Sequence, residues 1–372
     1  MSSTSHIGDV ATAAPALAPR PSRSLANAGL LAISIAFTVG MLELAARLLF
    51  PAPLAWNYPQ TQYVADPTLI FALQPNQRTF SADKTVTINE RGFRGPLIPY
   101  ERTPGKHRVV FLGDSITFGY GVRDDEVVTE RVRALLAKDG VDVEIVNTAV
   151  PSYNTEQEVA SYELQGRRYR PDWIVVGVCW NDISDKSNVR VNADGELVDA
   201  DAPPAKTVER ASSSPTGYAL RNALKRSRLL YGSLERWRAY SAGQTPDGQT
   251  TARMDVLNGR ETPNVAQGWT RMETALRRLQ TLASEDGARI LLVAFPIPLT
   301  LESDMPASSY PRHLAEFAAR ERVPFIDLTD AYRKEFHGHE SLFIAYDGDH
   351  PNAAGHHIAG VEIARALAPE LR

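Results

Sequence analysis

Cysteine is nearly missing from this chain: one residue of 372, Cys179, so no intrachain disulfide can form. No Cys/His cluster has the spacing of a structural zinc site, and His356 and His357, close behind His350, read as helix decoration rather than metal ligands. No metal or organic cofactor is therefore expected. Long basic blocks are also missing. Forty Lys and Arg stand against 44 Asp and Glu, a net charge of −4, which argues against nucleic acid as the main partner because phosphate binding needs clustered cations. Hydrophobic residues make up 43% and charged residues 23%, the balance of a folded chain rather than a disordered one. Charge is absent altogether from Leu25 to Leu42.

That uncharged stretch organises the N-terminus. Residues 1–24, rich in Ser, Ala and Pro, are expected to be a disordered tail. Residues 25–50 read as a transmembrane signal anchor: at ~1.5 Å per residue the apolar run covers most of a ~30 Å bilayer core. Arg20 and Arg23 precede it with no acid nearby, so the positive-inside rule keeps the N-terminus in the cytoplasm and sends the remainder across. A cleaved signal peptide would have a shorter apolar core and an A-x-A-like site, and Arg47-Leu48-Leu49-Phe50-Pro51 offers none. Glu43 and Arg47, four apart, are placed to pair on one helix face.

Residues 51–106 are Pro-rich and mixed, and read as a small cap or stalk. Thr85-Val86-Thr87-Ile88 alternates like a strand, and Glu90 to Gly95 reads as a solvated turn carrying Arg91 and Arg94. Residues 107–372 form the main domain. Strands are predicted over Arg108–Leu112, Val143–Val146, Trp173–Cys179, Arg289–Phe295 and Pro324–Leu328. Helices are predicted over Val127–Ala137, Glu156–Tyr169, 268–285, 311–321 and Asn352–Leu367. Strands alternating with helices imply parallel pairing, and apolar runs without alternation imply a sheet covered on both faces. The expected fold is α/β, a doubly wound five-stranded parallel sheet in flavodoxin-like order 2-1-3-4-5, preceded by the N-terminal transmembrane helix. An insertion at about 183–267 interrupts it. Within it Tyr218–Tyr240 reads as a basic amphipathic helix between two flexible flanks, Asn192–Ser214 and Ser241–Arg260.

Four loops at the carboxyl ends of these strands carry the chemistry. They hold Gly113-Asp114-Ser115, then Asn147 to Asn154, then Asn181-Asp182, and finally Asp347-Gly348-Asp349-His350. A serine hydroxyl is a weak nucleophile unless a base takes its proton and an acid orients that base. Ser115, His350 and Asp347 supply the three groups. Asp349 is a rival acid, but an immediate neighbour cannot easily reach back to the ring. Asp114 and Asp182 are expected to brace their loops.

In these blocks the chain resembles the GDSL/SGNH hydrolase superfamily, over residues 107–370 apart from the insertion. The anchor and short cap upstream are similar to exported bacterial members. The resemblance implies Ser115 as nucleophile, with Asp347 and His350 as acid and base. It also implies an oxyanion hole made by the backbone N–H of Ser115, that of Ser152, and the Asn181 side chain. Ser152 stands where the family usually has Gly and Cys179 where Gly is common, and no histidine neighbours Cys179 to make it a second nucleophile. The reading is a single-pass protein of a bacterial inner membrane, with a periplasmic domain that hydrolyses esters of acylated glycans or lipids. A transferase passing the acyl group to polysaccharide is one alternative, and a non-catalytic envelope binding module is another.

Overall fold

An apolar run without charge satisfies its own backbone as a helix, and this is the first element in the computed structural model. The structure describes residues 23–49, 57–183, 188–201, 214–224, 227–233, 254–302, 309–345 and 347–372. The chain divides into two units, residues 1–51 and 52–372. In the first, helix α1 spans Arg23–Leu49. Its segment Asn27–Leu49 is long and apolar enough to cross a membrane, a test that a signal sequence near the N-terminus also meets. Glu43 and Arg47 pair at 2.7 Å. Almost all of the expected disordered tail lies outside the described residues.

The second unit opens with two antiparallel hairpins. In the first, β1 (Tyr63–Asp66) pairs with β2 (Ile70–Leu73). In the second, β3 (Gln77–Ser81) pairs with β4 (Lys84–Ile88), the strand expected from the Thr85–Ile88 alternation. The main layer follows: β5 (His107–Gly113), α2 (Ser115–Phe118), α3 (Val128–Lys138), β6 (Val143–Asn147), α4 (Thr155–Leu164) and β7 (Trp173–Val178). A 3₁₀ turn at Trp180–Ile183 leads to a hairpin of β8 (Val189–Val191) and β9 (Leu197–Asp199), then to α5 (Pro215–Leu224). The chain returns through α6 (Pro263–Asp286), β10 (Arg289–Ala294), α7 (Pro298–Glu302) and α8 (Ser309–Glu321). It closes with β11 (Phe325–Asp327), α9 (Thr329–Glu335), α10 (His339–Leu342) and α11 (Ala353–Leu367).

The central sheet runs β6-β5-β7-β10-β11 with every pair parallel, so its five strands stand in the expected order 2-1-3-4-5. Alternate residues along each strand enter opposite cores. Val109, Phe111, Val175, Leu291 and Val293 pack on one side with Val132 and Leu136 of α3 and Ile363 and Leu367 of α11. Val110, Leu112, Ile174, Val176 and Leu292 pack on the other with Tyr162 of α4, Leu279 of α6 and Phe317 of α8. Two covered faces explain why these strands read as continuous apolar runs. The chain leaves β5 toward β6 on one side and β7 on the other, so the order reverses at the carboxyl end of β5. A crevice opens at such a point, and Ser115 sits there.

Several expectations need correction. Arg91 and Arg94 do not lie on a solvated turn. Arg94 is 3% exposed, and Arg91 donates to Tyr169 Oη at 3.2 Å with its guanidinium over the Tyr100 ring. The hairpin segment packs directly on the loops after β5 and β6 through a third core, in which Phe71, Leu73, Val86 and Ile88 meet Phe118, Val150 and Tyr153. Helix α4 stops at Leu164 and gives way to a 3₁₀ turn over Gly166–Tyr169, so the period across 156–169 belongs to two elements. The flank at Asn192–Ser214 contains the β8–β9 hairpin, and that at Ser241–Arg260 contains the buried Val256 and Leu257. The return helix starts at Pro263, with Thr262 capping the Val265 N–H, a Pro-at-N1 signal inside the expected insertion. Of the helix expected over Tyr218–Tyr240, residues 225–226 and 234–240 lie outside the described residues. His356 is fully buried, where its Nδ1 accepts the Val128 N–H at 3.2 Å, while His357 is exposed.

Candidate active site

The site starts where β5 runs out. Gly113 ends the strand against the Thr117 side chain, which also fills the space a Cβ on Gly177 of β7 would need. Two adjacent strands therefore require glycine for the Ser115 turn to lie so close. Asp114 caps the turn, its Oδ1 accepting the Ile116 N–H at 2.9 Å. Ser115 is the first residue of α2, which lasts four residues and stops at Gly119 in the left-handed region with φ of 88°.

Ser115 Oγ lies 2.8 Å from His350 Nε2, although 235 positions separate the residues. His350 Nδ1 lies 2.8 Å from Asp347 Oδ1. That oxygen also accepts the backbone N–H groups of Asp349 at 2.9 Å and His350 at 2.8 Å. A carboxylate three residues before a histidine can thus turn back on its own loop and hold ring and backbone together. Because Nδ1–H donates to the carboxylate, Nε2 is left to accept from the serine hydroxyl. The loop is braced on both sides: the Ile344 N–H donates to His350 O at 3.0 Å, and Asn352 caps α11 through the Ala354 N–H at 2.8 Å. Asp349, the rival acid, accepts instead from Trp180 Nε1 at 3.3 Å.

Electrostatics follow from this packing. Burial pushes the His350 imidazole down, but the hydrogen bond and charge of Asp347, with smaller contributions from Asp114 and Asp349, outweigh it and raise the group above its ordinary value. Burial pushes the Asp347 carboxyl up, and His350 with the two backbone N–H groups more than reverses this, holding it below the usual range. Cys179 is buried, and desolvation followed by the charges of Asp114, Asp349 and Asp182 raises its thiol well above the usual range, so no thiolate forms there at neutral pH.

The other predicted residues gather at the same strand ends. Asn181 Nδ2 donates to Asp114 Oδ2 at 3.0 Å, tying the third block to the residue before Ser115. Ser152 lies at φ of 74° in the turn Val150-Pro151-Ser152-Tyr153, closed by the Tyr153 N–H on Val150 O at 3.1 Å. Pro at the second position and a positive φ at the third are the form of a type II turn, which favours Gly where Ser152 stands. The Val150 N–H donates to Gly113 O at 3.1 Å, fixing that turn to the end of β5. Asp182 accepts the Cys179 N–H within its own turn. Ser115, Ser152, Asn181, Asp347 and His350 are all half-buried, open to solvent on one side. Among the described residues no group of His, Cys, Asp and Glu is arranged to hold a metal ion.

Three neighbours escape a reading of the sequence. Tyr120 packs its ring on His350 at 4.5 Å between centroids. Arg94 reaches from the hairpin segment to the carbonyls that end α2. Glu158 lies buried behind the Asn181 turn. Only Glu158 leaves a sequence signal: it falls on the inward stripe Thr155, Glu158, Val159 and Tyr162 of α4, where a carboxylate is out of place.

The chain is similar to several solved structures. TesA matches at 14% identity and a TM-score of 0.42, over 72% of this chain and 100% of that one. The lipase/acylhydrolase of Enterococcus faecalis matches at 18% and 0.41, over 72% and 97%. A catalytic mutant of Axe2, an acetylxylan esterase of Geobacillus stearothermophilus, matches at 17% and 0.40, over 72% and 95%. No curated protein matches the chain. The profile of the GDSL-like lipase/acylhydrolase family matches residues 111–358, two thirds of the chain and every block described above, and the chain thus belongs to that family and is an ester-bond hydrolase.

Proposed function

We propose that this protein is a membrane-anchored serine ester hydrolase of the bacterial cell envelope. Ser115 Oγ attacks the acyl carbon of an ester while His350 Nε2 takes its proton. His350 then gives that proton to the departing alcohol, leaving an acyl group on Ser115. Water then attacks the acyl carbon as His350 takes its proton, the bond to Ser115 Oγ breaks, and His350 returns that proton to Oγ as the carboxylic acid leaves. Asp347 fixes the imidazole and stabilises its protonated form. The tetrahedral oxyanion is held by the backbone N–H groups of Ser115 and Ser152 and by Asn181 Nδ2–H. The Asn181 amide has two hydrogens. One goes to Asp114, leaving the other for the oxyanion.

The observation that carries this reading is the unbroken chain Ser115–His350–Asp347, 2.8 Å at each step. The uncharged apolar run within α1, with Arg20 and Arg23 before it, supports an uncleaved anchor and a periplasmic second unit. Export in turn favours O-acylated envelope glycans or lipids as substrates. In the test, the full-length protein in membranes is treated with a serine-directed fluorophosphonate and assayed on acyl esters of graded chain length. Wild type is expected to take the label and release free acid, and Ser115→Ala to do neither. Equal labelling of the two proteins would overturn the assignment of the nucleophile. Acyl groups appearing on polysaccharide instead of as free acid would make the protein a transferase. An intact mass lacking residues 25–50 would overturn the anchor.

A further inference from the structure

Glu158 is an acid behind the site with no task in the chemistry above. It projects from α4, is 2% exposed, and neither of its carboxylate oxygens receives a hydrogen bond among the described residues. A bare carboxylate in that position would lack the donors that buried charges require. Its nearest charged neighbours add to the difficulty, because both are acids. Asp182, 3% exposed, is within side-chain hydrogen-bonding reach, and Asp114 lies further off. Asp182 is fixed in turn by the Cys179 N–H, and it directly follows Asn181 in the Trp180–Ile183 turn. Two carboxyl groups with no cation between them can share a buried pocket if one keeps its proton and donates it to the other.

We propose that Glu158 is held as a neutral acid whose O–H donates to the Asp182 carboxylate, and that this bridge positions the Trp180–Ile183 turn and with it the Asn181 amide. The proposal rests on the reading of Asn181 as an oxyanion donor. Glu158 is a positioning residue, since it acts through Asp182 and touches no reacting atom. Burial first, then the charges of Asp182 and Asp114, raise the Glu158 carboxyl well above the usual range, which agrees with the neutral form. Among the described residues, the other titratable groups around the pair do not supply the missing charge. Cys179 and Tyr310 are both buried and raised by desolvation, so both are neutral. Arg271, part-exposed, is engaged elsewhere, pairing with Glu156 at 3.3 Å and donating to Ile183 O at 3.0 Å. The shared proton has a second effect. Acids close to a developing oxyanion oppose it, and one proton on the pair removes one such charge from behind the Asn181 amide.

The test uses the full chain and three readouts. Infrared difference spectra of wild type against Glu158→Gln at neutral pH should show a protonated carboxylic carbonyl band in wild type alone. Its absence would overturn the proposal whatever the enzyme's activity. Glu158→Gln keeps a donor toward Asp182 and should keep kcat within about threefold, whereas Glu158→Met, of similar length and without a donor, should lose about tenfold or more in kcat with KM little changed. Equal kcat in the two variants would overturn the positioning role. If the Met variant does not fold, a Gln variant with native thermal stability and kcat down by about tenfold or more would overturn it instead. Wild type that takes no fluorophosphonate label would sink the hydrolase reading itself, and the infrared band separates that failure from this one.

Discussion

At His350 burial and charge oppose each other, and the carboxylate of Asp347 decides the outcome. The group titrates above 6.5, its ordinary value, because the hydrogen bond and charge of Asp347 outweigh desolvation. As the proposed base, His350 must be unprotonated to take the Ser115 proton, so kcat/KM is expected to rise with pH through a midpoint above the ordinary imidazole value. The linked stability runs the other way. A histidine raised in the folded state contributes stability that is full below its unfolded value and lost as pH climbs through the folded one. Asp347, lowered in the fold, contributes stability present above its ordinary 3.8 and lost as pH falls through its folded value. Asp347→Asn should cut kcat by about 10⁴-fold. It should also move the acid limb to lower pH, because burial is then opposed only by the smaller contributions of Asp114 and Asp349; a pH–rate profile of the variant with an unmoved limb would contradict this. Ser152 offers a separate test at this scale. A non-glycine residue at φ of 74° carries strain of about 1 kcal/mol or more, partly offset in a glycine variant by unfolded-state entropy. Ser152→Gly is expected to raise stability by roughly 0.5–1 kcal/mol in urea melts while leaving kcat unchanged, because the backbone N–H remains.

Helix α2 is too short to hold itself in place, and the surrounding elements do it. Four residues leave most of its carbonyls without intrahelical partners. Arg94 donates to Phe118 O at 2.8 Å, to Gly119 O, and to Val122 O at 2.7 Å, and its Nε pairs with Asp124 at 3.0 Å. Asn147, at the end of β6, donates to Thr117 O at 3.2 Å. The Ser115 helix is thus clamped by one residue of the sheet and one from the hairpin segment. Arg94→Met strips the buried Phe118 and Val122 carbonyls of their donor, leaves Gly119 O with only the Val122 N–H, and should cost about 3 kcal/mol or more. Arg94→Lys should fall between, since an ammonium cannot reproduce the planar fork. Urea melts and the rate of fluorophosphonate labelling follow the two effects, and a Met variant with wild-type stability would refute the clamp. None of this is visible in one dimension. The inner strands of the main sheet announce themselves because each is buried on both faces, and the Gly-Asp-Ser and Asp-x-x-His blocks because they sit at strand ends. Arg94 carries no comparable mark. Its meaning lies in carbonyls 24 to 28 positions away, and an arginine between Phe93 and Gly95 looks the same whether it caps a helix or faces water. The β8–β9 hairpin was hidden differently, because its three-residue strands are only partly buried and too short for an alternation to register.

On the scale of the whole molecule the question is how much of the chain the chemistry needs. The family profile begins at residue 111, inside β5, yet the third core joins Leu69, Phe71, Leu73, Val86 and Ile88 to Phe118, Ala149, Val150 and Tyr153 from the loops of the site. Tyr153 Oη also donates to Phe71 O at 2.7 Å, and Gln157 Nε2 to Leu69 O at 2.8 Å. Removing the hairpins would expose five apolar side chains' worth of contact surface on those loops and take away Arg94 with them. Residues 52–372, by contrast, contain all three cores and every polar contact of the site. A truncation that begins at residue 52 is therefore expected to fold cooperatively, stay in solution without detergent, and match the full-length enzyme in kcat/KM on a small soluble ester. A truncation that begins at residue 107 should lose that activity, with Ser115 labelling slowed by at least about a hundredfold as α2 loses its clamp. Calorimetry on both, alongside the labelling rate, separates unfolding from misplacement of the serine. Full labelling in the shorter form would show that the hairpin segment is dispensable and that α2 is held from the sheet alone.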